Sequence, residues 1–313
     1  MKDVQAAGDA VLAELEKVVF GKSSTLRLMI AALFSGGHVL LEDVPGTAKT
    51  LAAKALSKAV GGRFQRVQGT PDLLPGDVTG SSIFDPRDQA FVFHPGPVFA
   101  NVLLADEINR ATPRAQAALL ECMAEQQVSV DGQTRVLPAP FFVLATQNPV
   151  EHEGTFPLPE AQLDRFLMRL SFGYPSLDAE AKMLVEDRED PLSVVDEVLT
   201  LEGLVTLQRR VREVHAADEV RAYAVRLVAA TRKSDELLLG GGPRATKGLY
   251  RSGQAWAALA GRDWLSPDDL KRMLPAVLGH RVILGPDARL AGRDAEAVVE
   301  KAVRLVPAPT VRR

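Results

Sequence analysis

The segment that decides the fold is Glu-Asp-Val-Pro-Gly-Thr-Ala-Lys-Thr at residues 42–50. It directly follows an apolar run at 38–41 and opens a helical pattern that continues to residue 60. A phosphate-binding loop requires this strand–turn–helix setting, because backbone N–H groups and the N-terminus of a helix supply the positive potential that attracts phosphate. In such a loop Lys49 would reach the β- and γ-phosphates, and the Thr50 hydroxyl would bind Mg²⁺.

The match to the general phosphate-loop pattern G-x-x-x-x-G-K-[ST] is imperfect at two positions. Asp43 occupies the first glycine position and Ala48 the second, while Pro45 and Gly46 still supply a tight turn. Alanine is tolerated at the second position if the backbone there already has a helical φ. Taken alone, the segment could instead be an ordinary strand, turn and helix in which Lys49 caps the helix.

Two acidic residues follow another strongly apolar run. Residues 102–105 read Val-Leu-Leu-Ala and are followed by Asp106 and Glu107, an arrangement typical of a Walker B segment. Asp106 would hold the hydration shell of Mg²⁺, and Glu107 would orient or deprotonate the attacking water. The alternative, an acidic strand end that caps the next helix, is less favoured because the segment accompanies a phosphate loop.

A polar amide follows a third apolar run, at residues 141–145. The run continues into Thr-Gln-Asn-Pro at 146–149, where Asn148 could position the lytic water against the γ-phosphate. Alone this would be a turn-forming Asn-Pro pair, because a residue before proline is pushed out of helical geometry. Three strand ends that carry a lysine with a threonine, two acids and an amide together predict a nucleotide site at the carboxyl edge of a sheet.

The chain divides into two parts by pattern. Further strand-like runs at 63–67 and 166–170 alternate with helical stretches, and most of the runs are apolar throughout, which suits strands covered on both faces of a parallel sheet. We therefore predict a doubly wound α/β core over residues 1–175. The rest shows only helical periodicity, with a clear helix start at Ser-Pro-Asp-Asp, 266–269. An all-helical domain is predicted for residues 176–313.

Composition narrows the class of protein. The chain has 313 residues and a net charge of −3, without a long run of Lys or Arg, which argues against a nucleic-acid binder. Cys122 is the only cysteine, so an intrachain disulfide is excluded and the composition fits a reducing cytoplasm. The most apolar stretch, 28–41, is interrupted by Gly36 and Gly37 and is shorter than the ~20 residues that span a bilayer. We therefore expect no membrane span.

The motifs together resemble those of the MoxR family of AAA+ ATPases over nearly the whole chain. Besides the segments above, the resemblance rests on Thr-Pro-Asp-Leu-Leu-Pro at 70–75, Gly-Pro-Val-Phe-Ala-Asn at 96–101, Asp-Glu-Ile-Asn-Arg-Ala at 106–111 and the run 154–166. It implies an AAA+ phosphate-loop core, with a parallel sheet flanked by helices, followed by a helical lid. It also implies that the departures from the general phosphate-loop pattern are ordinary usage in this family.

The resemblance further implies roles at single positions. Asn148 corresponds to sensor 1, and Arg165 to an arginine finger that would stabilise the transition state at the γ-phosphate of a neighbouring subunit. Arg244, at a predicted helix start, corresponds to sensor 2 and would contact the γ-phosphate bound to its own chain. The segment 18–22 corresponds to the border of the adenine site. The implied nucleotide-binding set is Val19, Phe20, Gly21, Pro45, Gly46, Thr47, Ala48, Lys49, Thr50, Leu51, Asp106 and Arg244.

The implied arginines have plainer alternatives, because arginine is mostly exposed in folded proteins. Arg165 could pair with a neighbouring carboxylate on the surface, and Arg244 could simply be solvated. Arg110 and Arg114 follow the acidic pair, and they either face a subunit interface or lie on a solvated helix face.

Two hairpins are predicted inside the core. Residues 80–98 contain a Pro-Arg-Asp turn between apolar runs, and Asp131 with Gly132 forms a strong turn signal between 128–130 and 134–137. The resemblance implies hairpins that project toward a pore or a substrate face, and ordinary surface hairpins are the alternative.

From the resemblance we expect Mg²⁺-dependent ATP hydrolysis by a hexameric ring, coupled to remodelling or maturation of protein partners. Proteins with von Willebrand factor A domains are the partners that the family implies. Two hypotheses from other classes stay open. One is a nucleotide-gated binding scaffold, against which the presence of Glu107 argues. The other is a DNA-associated motor, against which the acidic pI of about 6.0 argues.

Overall fold

The computed structural model describes residues 1–44, 46–148, 154–186 and 188–309. Its strands are β1 (Val39–Glu42), β2 (Phe64–Gln68), β3 (Gly80–Asp85), β4 (Ala90–Pro95), β5 (Val102–Asp106), β6 (Gln127–Val130), β7 (Gln133–Val136), β8 (Phe142–Gln147), β9 (Met168–Leu170), β10 (Leu237–Leu239) and β11 (Ile283–Leu284). Its α-helices are α1 (Lys2–Glu16), α2 (Ser23–Ser35), α3 (Lys49–Ala59), α4 (Pro75–Thr79), α5 (Pro113–Glu125), α6 (Glu160–Leu163), α7 (Leu177–Val185), α8 (Leu201–Val211), α9 (Asp218–Thr231), α10 (Pro243–Leu259), α11 (Pro267–Leu278), α12 (Pro286–Leu290) and α13 (Ala295–Val303). Short 3-10 helices cover Ile108–Arg110 and Pro191–Val194.

Five strands form one parallel sheet in the spatial order β2-β5-β8-β1-β9. Each of the five runs selected from the sequence overlaps a strand of this sheet. Val39, Leu40 and Leu41 are completely buried, as expected for a strand covered on both faces. Val39 and Leu41 pack with α1, α2 and α3, whereas Leu40 packs with α5 on the opposite face. The predicted doubly wound α/β core is confirmed.

The second part of the chain is mainly helical, as predicted, with one addition. β10 and β11 pair antiparallel as a short ribbon among the helices, which corrects the expectation that this part would be helical throughout. Strands of two or three residues are too short to show an alternating pattern in the sequence.

The helical part packs directly on the first two helices of the chain. α10 lies against α1 and α2, and Leu249 and Leu259 of α10 belong to the same buried apolar cluster as Phe34 of α2. The two parts therefore share one continuous core, and the division at residue 175 remains a prediction about the course of the chain.

Local signals set the ends of the helices and hairpins. α11 begins with the predicted capping box: the Ser266 hydroxyl accepts a hydrogen bond from the Asp269 N–H, and the Asp269 carboxylate accepts one from the Ser266 N–H. Both predicted hairpins are present, as β3 with β4 and β6 with β7. In the second hairpin Asp131 and Gly132 have φ values of 53° and 72°, which a type I′ turn requires. Among the described residues, no helix is both long enough and apolar enough to cross a bilayer.

Candidate functional site

The carboxyl ends of β1, β5 and β8 and the start of α3 surround one cavity at the edge of the sheet. The structure thus brings together most of the residues selected from the sequence, and Asn148 is buried at the end of β8. The lining includes Gly46, Thr47, Ala48, Lys49, Thr50, Leu51, Asp106, Glu107, Thr146 and Asn148. Pro45, another selected residue, lies outside the described residues.

The backbone of the loop before α3 is shaped to face a ligand. Gly46 has φ +83°, and a Cβ placed there would meet no atom within 4 Å, so the backbone borders open space. Ala48 has φ 60° and ψ 17° and is the N-cap of α3. The expectation of a helical φ at Ala48 is therefore wrong. The position needs the left-handed geometry that favours glycine, and alanine adopts it at a cost of roughly 1–2 kcal/mol.

The side chain of Lys49 points back onto the loop. Its Nζ donates hydrogen bonds to the carbonyl oxygens of Asp43 at 3.0 Å and Val44 at 3.1 Å. Burial lowers the pKa of Lys49, although the carboxylates of Asp43, Asp106 and Glu107 favour its charged form. The ammonium group therefore lies where phosphate oxygens would replace carbonyl oxygens as stronger, charge-assisted partners.

Asp43 ties the loop to the end of β9. Its buried carboxylate accepts hydrogen bonds from the Ser171 hydroxyl at 2.7 Å and from the main-chain N–H groups of Phe172 at 2.5 Å and Gly173 at 2.9 Å. A glycine at this position could make none of these bonds. The sequence showed only a departure from the general motif, because the partners lie about 130 residues further along the chain.

Both oxygens of the Asp106 carboxylate have partners. Thr146 on β8 donates its hydroxyl to Oδ1 at 2.6 Å, and Arg66 on β2 donates to Oδ2 at 2.6 Å. Sequence reasoning missed Thr146 and Arg66. The order of the strands was the missing information, because β2 and β8 flank β5 on either side.

Glu107 is held by its main chain as well as by its side chain. Its φ of 52° lies in the left-handed region, and its N–H donates to the Thr146 hydroxyl at 2.8 Å. The carboxylate accepts a hydrogen bond from Gln68 at 2.8 Å and lies 3.4 Å from the guanidinium of Arg110. Arg110 therefore contacts Glu107, which goes beyond the solvated helix face considered from the sequence.

Thr50 and Asp106 have the chemistry that a magnesium site needs. They offer a hydroxyl and a carboxylate oxygen, and Mg²⁺ in phosphate sites takes one or two carboxylates and completes its shell with water and phosphate oxygens. Arg66 already places a positive charge at Oδ2 of Asp106. The donor set fits Mg²⁺, which would compete with Arg66 for this carboxylate oxygen.

A second, mainly apolar cavity adjoins the phosphate loop. Its lining includes Val19 and Phe20 before α2, Leu51 of α3 and Met183 of α7. The Lys182 ammonium lies 4.8 Å from the centre of the Phe20 ring. A flat apolar base would fit between such walls. Val18 and Lys22, the two ends of the segment predicted to border the adenine, also line this cavity. The first and second parts of the chain therefore meet here.

Gly21 shapes this cavity from behind rather than lining it. It has φ +69°, and a Cβ placed there would lie 2.9 Å from the Cβ of Ala179 on α7. Real Cβ atoms do not approach each other this closely, so α7 can take its place over Phe20 only because residue 21 is glycine.

The two predicted nucleotide-contacting arginines contact groups outside the linings of these two cavities. Arg165 donates to the Leu120 carbonyl at 2.5 Å, and Arg244 lies 3.3 Å from the carboxylate of Asp164. In the described part of the chain, the linings of the two cavities include neither arginine. The contact of Arg244 with the nucleotide of its own chain therefore remains a prediction.

The sheet, the phosphate loop and the helical second part define an ATPase of the AAA class. Residues 38–168 match the ATPase family associated with various cellular activities (AAA), and residues 229–302 match the AAA lid domain. A crystal structure of a Cytophaga hutchinsonii protein assigned as an ATPase matches with a TM-score of 0.91 at 35% identity, covering 99% of this chain and 98% of that one.

Two relatives of this chain identify its family within the AAA class. The chain is 47% identical over 299 residues to the uncharacterized protein YeaC of Bacillus subtilis, covering 95% of this chain and 93% of that protein. It is 41% identical over 307 residues to Chaperone MoxR1 of Mycobacterium tuberculosis, covering 95% and 81%. The chain belongs to the MoxR family of AAA+ ATPases.

Proposed function

We propose that this chain hydrolyses ATP to ADP and phosphate with Mg²⁺, in a ring of copies that complete one another's sites. The observation that carries the proposal is that five side chains of complementary chemistry line one cavity: Lys49, Thr50, Asp106, Glu107 and Asn148. They combine a cation for phosphate, oxygen donors for a metal, a carboxylate base and an amide. Phosphoryl transfer to water needs this combination, because its catalysis depends on positioning and on charge stabilisation.

Binding would use both cavities. The base would enter the apolar cavity beside Val19 and Phe20, and the phosphates would lie at the N-terminus of α3, where free N–H groups attract anions. Lys49 would exchange two carbonyl partners for phosphate oxygens. Thr50 and Asp106 would hold Mg²⁺, which when bound neutralises charge on the β- and γ-phosphate oxygens.

Glu107 is the proposed general base for the attacking water. Its main chain is fixed by Thr146 and its carboxylate is held by Gln68, so the base starts from a defined position. Asn148, buried at the neighbouring strand end, would orient the same water.

An arginine free to stabilise charge at the γ-phosphate is proposed to come from another copy, because Arg66 and Arg110, which lie beside this chain's cavity, are paired with its carboxylates. In the described residues, the lining of the phosphate cavity contains no arginine, whereas Arg165 lies elsewhere on the chain. We propose that Arg165 enters the site of an adjoining copy. For Arg244, which lies 3.3 Å from the carboxylate of Asp164, we keep the role that the resemblance implies, contact with the γ-phosphate bound to its own chain.

The proposed use of hydrolysis is chaperone-like remodelling or maturation of protein partners in the cytoplasm, by a hexameric ring. One relative is named a chaperone, and proteins with von Willebrand factor A domains are the proposed partners. The alternative is a nucleotide-gated scaffold, in which ATP binding alone controls docking.

The first test is the ATPase rate per subunit as a function of protein concentration. The rate should rise as copies assemble, and Arg165→Ala should lower it roughly 10³-fold or more, because trans arginines contribute this much in related phosphoryl transfer. Arg221→Ala is a matched control, since this exposed arginine of α9 pairs only with Asp218 in the described structure. A rate that is independent of concentration and survives Arg165→Ala would contradict the shared site.

The second test separates turnover from binding. Glu107→Gln keeps the shape of the side chain and removes the base, so ATP should still bind while hydrolysis falls roughly 10²- to 10⁴-fold. If this variant still remodels a von Willebrand factor A domain protein, ATP binding suffices and the scaffold is correct. If remodelling is lost with hydrolysis, turnover drives the work.

A further inference from the structure

Arg281, just after α11, is a buried arginine whose donors are all in use. Its side chain is only 3% exposed. Nε donates to Asp164 Oδ1 at 2.8 Å, and the two terminal nitrogens donate to the main-chain carbonyls of Asp164, Phe166, Leu167 and Val277. Arginine has five N–H donors in a rigid planar fork, so these five bonds saturate it.

Four of the five bonds end on the turn 164–167, which carries Arg165. The ring of His280 makes a further bond to the Phe166 carbonyl at 3.1 Å, and burial keeps the pKa of His280 well below its usual value. From the other side, Arg165 itself donates to the carbonyl of Leu120 on α5. The turn is therefore fixed between a helix of the core and the end of a lid helix.

The carboxylate of Asp164 joins a second arginine to the same unit. Oδ1 pairs with the buried Arg281, and Oδ2 lies 3.3 Å from Arg244. The side chain of Arg244 is 57% exposed, so this second pair is weak and exchangeable. Asp164 thus pairs with one buried arginine, Arg281, and with one exposed arginine, Arg244, which can exchange for water.

We propose that Arg281 is a positioning residue, which fixes Arg165 for the nucleotide of a neighbouring copy. The proposal rests on the proposed function, because it assumes that Arg165 acts across a subunit boundary. Arg281 lines neither nucleotide cavity among the described residues. Its effect is therefore on the hydrolysis rate at the neighbour's site and not on ATP binding by its own chain.

Arg281→Lys is the informative substitution, because it keeps the positive charge but removes the planar guanidinium that makes the hydrogen bonds to the turn. Lysine keeps the charge beside Asp164, but its single ammonium cannot reach four acceptors of the turn with planar geometry. The turn then loses its fixed position while the buried carboxylate keeps a cation. Misplacement of a catalytic group by about 1 Å costs roughly 10²-fold in rate, so we expect kcat to fall roughly 10- to 100-fold.

The first measurement compares kcat with the affinity for ATP. Arg281→Lys should lower kcat while the dissociation constant of a fluorescent ATP analogue stays within about two-fold of wild type. Arg272→Lys on α11 is the matched control, because this exposed arginine lies over Trp256 and away from the turn. An unchanged kcat, or a loss of ATP affinity equal to the loss of kcat, would overturn the proposal. If thermal unfolding shows that Arg281→Lys is not folded, Asp164→Asn takes its place.

Mixed rings provide the decisive readout. Glu107→Gln subunits lack the base but carry an intact Arg165 and Arg281, so they should restore hydrolysis at the sites of Arg281→Lys neighbours. The mixture should then exceed the summed activities of the two separate variants. Arg165→Ala mixed with Glu107→Gln is the reference. Recovery in the reference but not with Arg281→Lys overturns the role of Arg281, whereas no recovery in either mixture overturns the shared site itself.

Discussion

Arg66 Nη2 lies 2.6 Å from Asp106 Oδ2, so the carboxylate proposed to hold Mg²⁺ is already paired with a cation. The other oxygen accepts a hydrogen bond from Thr146. Mg²⁺, or a water of its hydration shell, would compete with Arg66 for Oδ2. Nearly half of the Arg66 side chain is exposed, so water can replace its lost partner and the exchange costs little.

Replacing Arg66 should therefore make the metal bind more readily. We expect Arg66→Gln to lower the Mg²⁺ concentration for half-maximal ATPase roughly two- to five-fold, because an exposed ion pair contributes about 0.5–1 kcal/mol. Magnesium titrations of the ATPase rate at saturating ATP measure this. Arg63→Gln is the control, since this exposed arginine before β2 bonds through its main chain. An unchanged Mg²⁺ requirement in Arg66→Gln would show that the pair does not compete with the metal.

The position of α7 over the base cavity should depend on Gly21. Gly21→Ala would bring two Cβ atoms within 2.9 Å and push α7 away from Phe20, so we expect several-fold weaker ATP binding. Gly36→Ala is a close control, because Gly36 has the same φ of +69° and its added Cβ would meet only Arg212 Nη2, at 3.9 Å. Both variants carry the same backbone strain. Binding of a fluorescent ATP analogue should weaken in Gly21→Ala alone, and equal effects in both variants would mean that strain is the cause.

A substitution at Asp43 tests whether the glycine of the general phosphate-loop pattern or the hydrogen bonds of Asp43 contribute more to stability. Asp43→Gly would restore the glycine of the general phosphate-loop pattern, yet it would remove the acceptor of three hydrogen bonds at the end of β9. We expect the free energy of unfolding to fall by roughly 1–3 kcal/mol, because buried donors are left without partners. Chemical denaturation measures it, with Ser171→Ala as a milder control that removes one bond. A more stable Asp43→Gly would show that the glycine pattern matters more than the tie to β9.

The strand ends of the site could be predicted from the sequence because each motif is contiguous. Asp106 follows an apolar run directly, Asn148 follows one after two residues and Lys49 after a seven-residue loop, and parallel strands bring their carboxyl ends to one edge whatever their order. The hydrogen bonds of Arg66 and Thr146 to Asp106 could not be predicted in this way. They require that β2 and β8 flank β5 in a particular register, which a single sequence does not display.

Backbone conformation and long-range hydrogen bonds could not be predicted from the sequence either. Ala48 looked compatible with a helical φ because residue type constrains φ only weakly, and its left-handed conformation follows from the path of the whole loop. Arg281 carried no signal at all, since its partners at 164–167 lie more than a hundred residues earlier in the chain. The sequence thus predicts which groups meet the ligand better than which groups hold them in place.

His38 links the sheet to α5 in a way that only the neutral ring permits. Its Nδ1 accepts a hydrogen bond from the Val143 N–H, and Nε2 donates to the Met123 carbonyl, each at 3.1 Å. Complete burial lowers the pKa of His38 to about 4, from 6.5 in the unfolded chain. Between these values the unfolded chain binds a proton that the folded chain does not, so stability falls as the pH falls through 6.5 toward 4.

Acid should therefore destabilise the fold before its carboxylates titrate. From pH 7.5 to pH 5 we expect His38 to reduce the free energy of unfolding by about 2 kcal/mol, with buried His280 adding a change of the same sign because burial lowers its pKa too. Urea denaturation at both pH values measures the difference. His38→Gln can still donate and accept hydrogen bonds but does not titrate, so its difference should be smaller by that amount. His94→Gln, on the exposed face of β4, should behave as wild type, and an unaltered difference in His38→Gln would remove His38 as the cause.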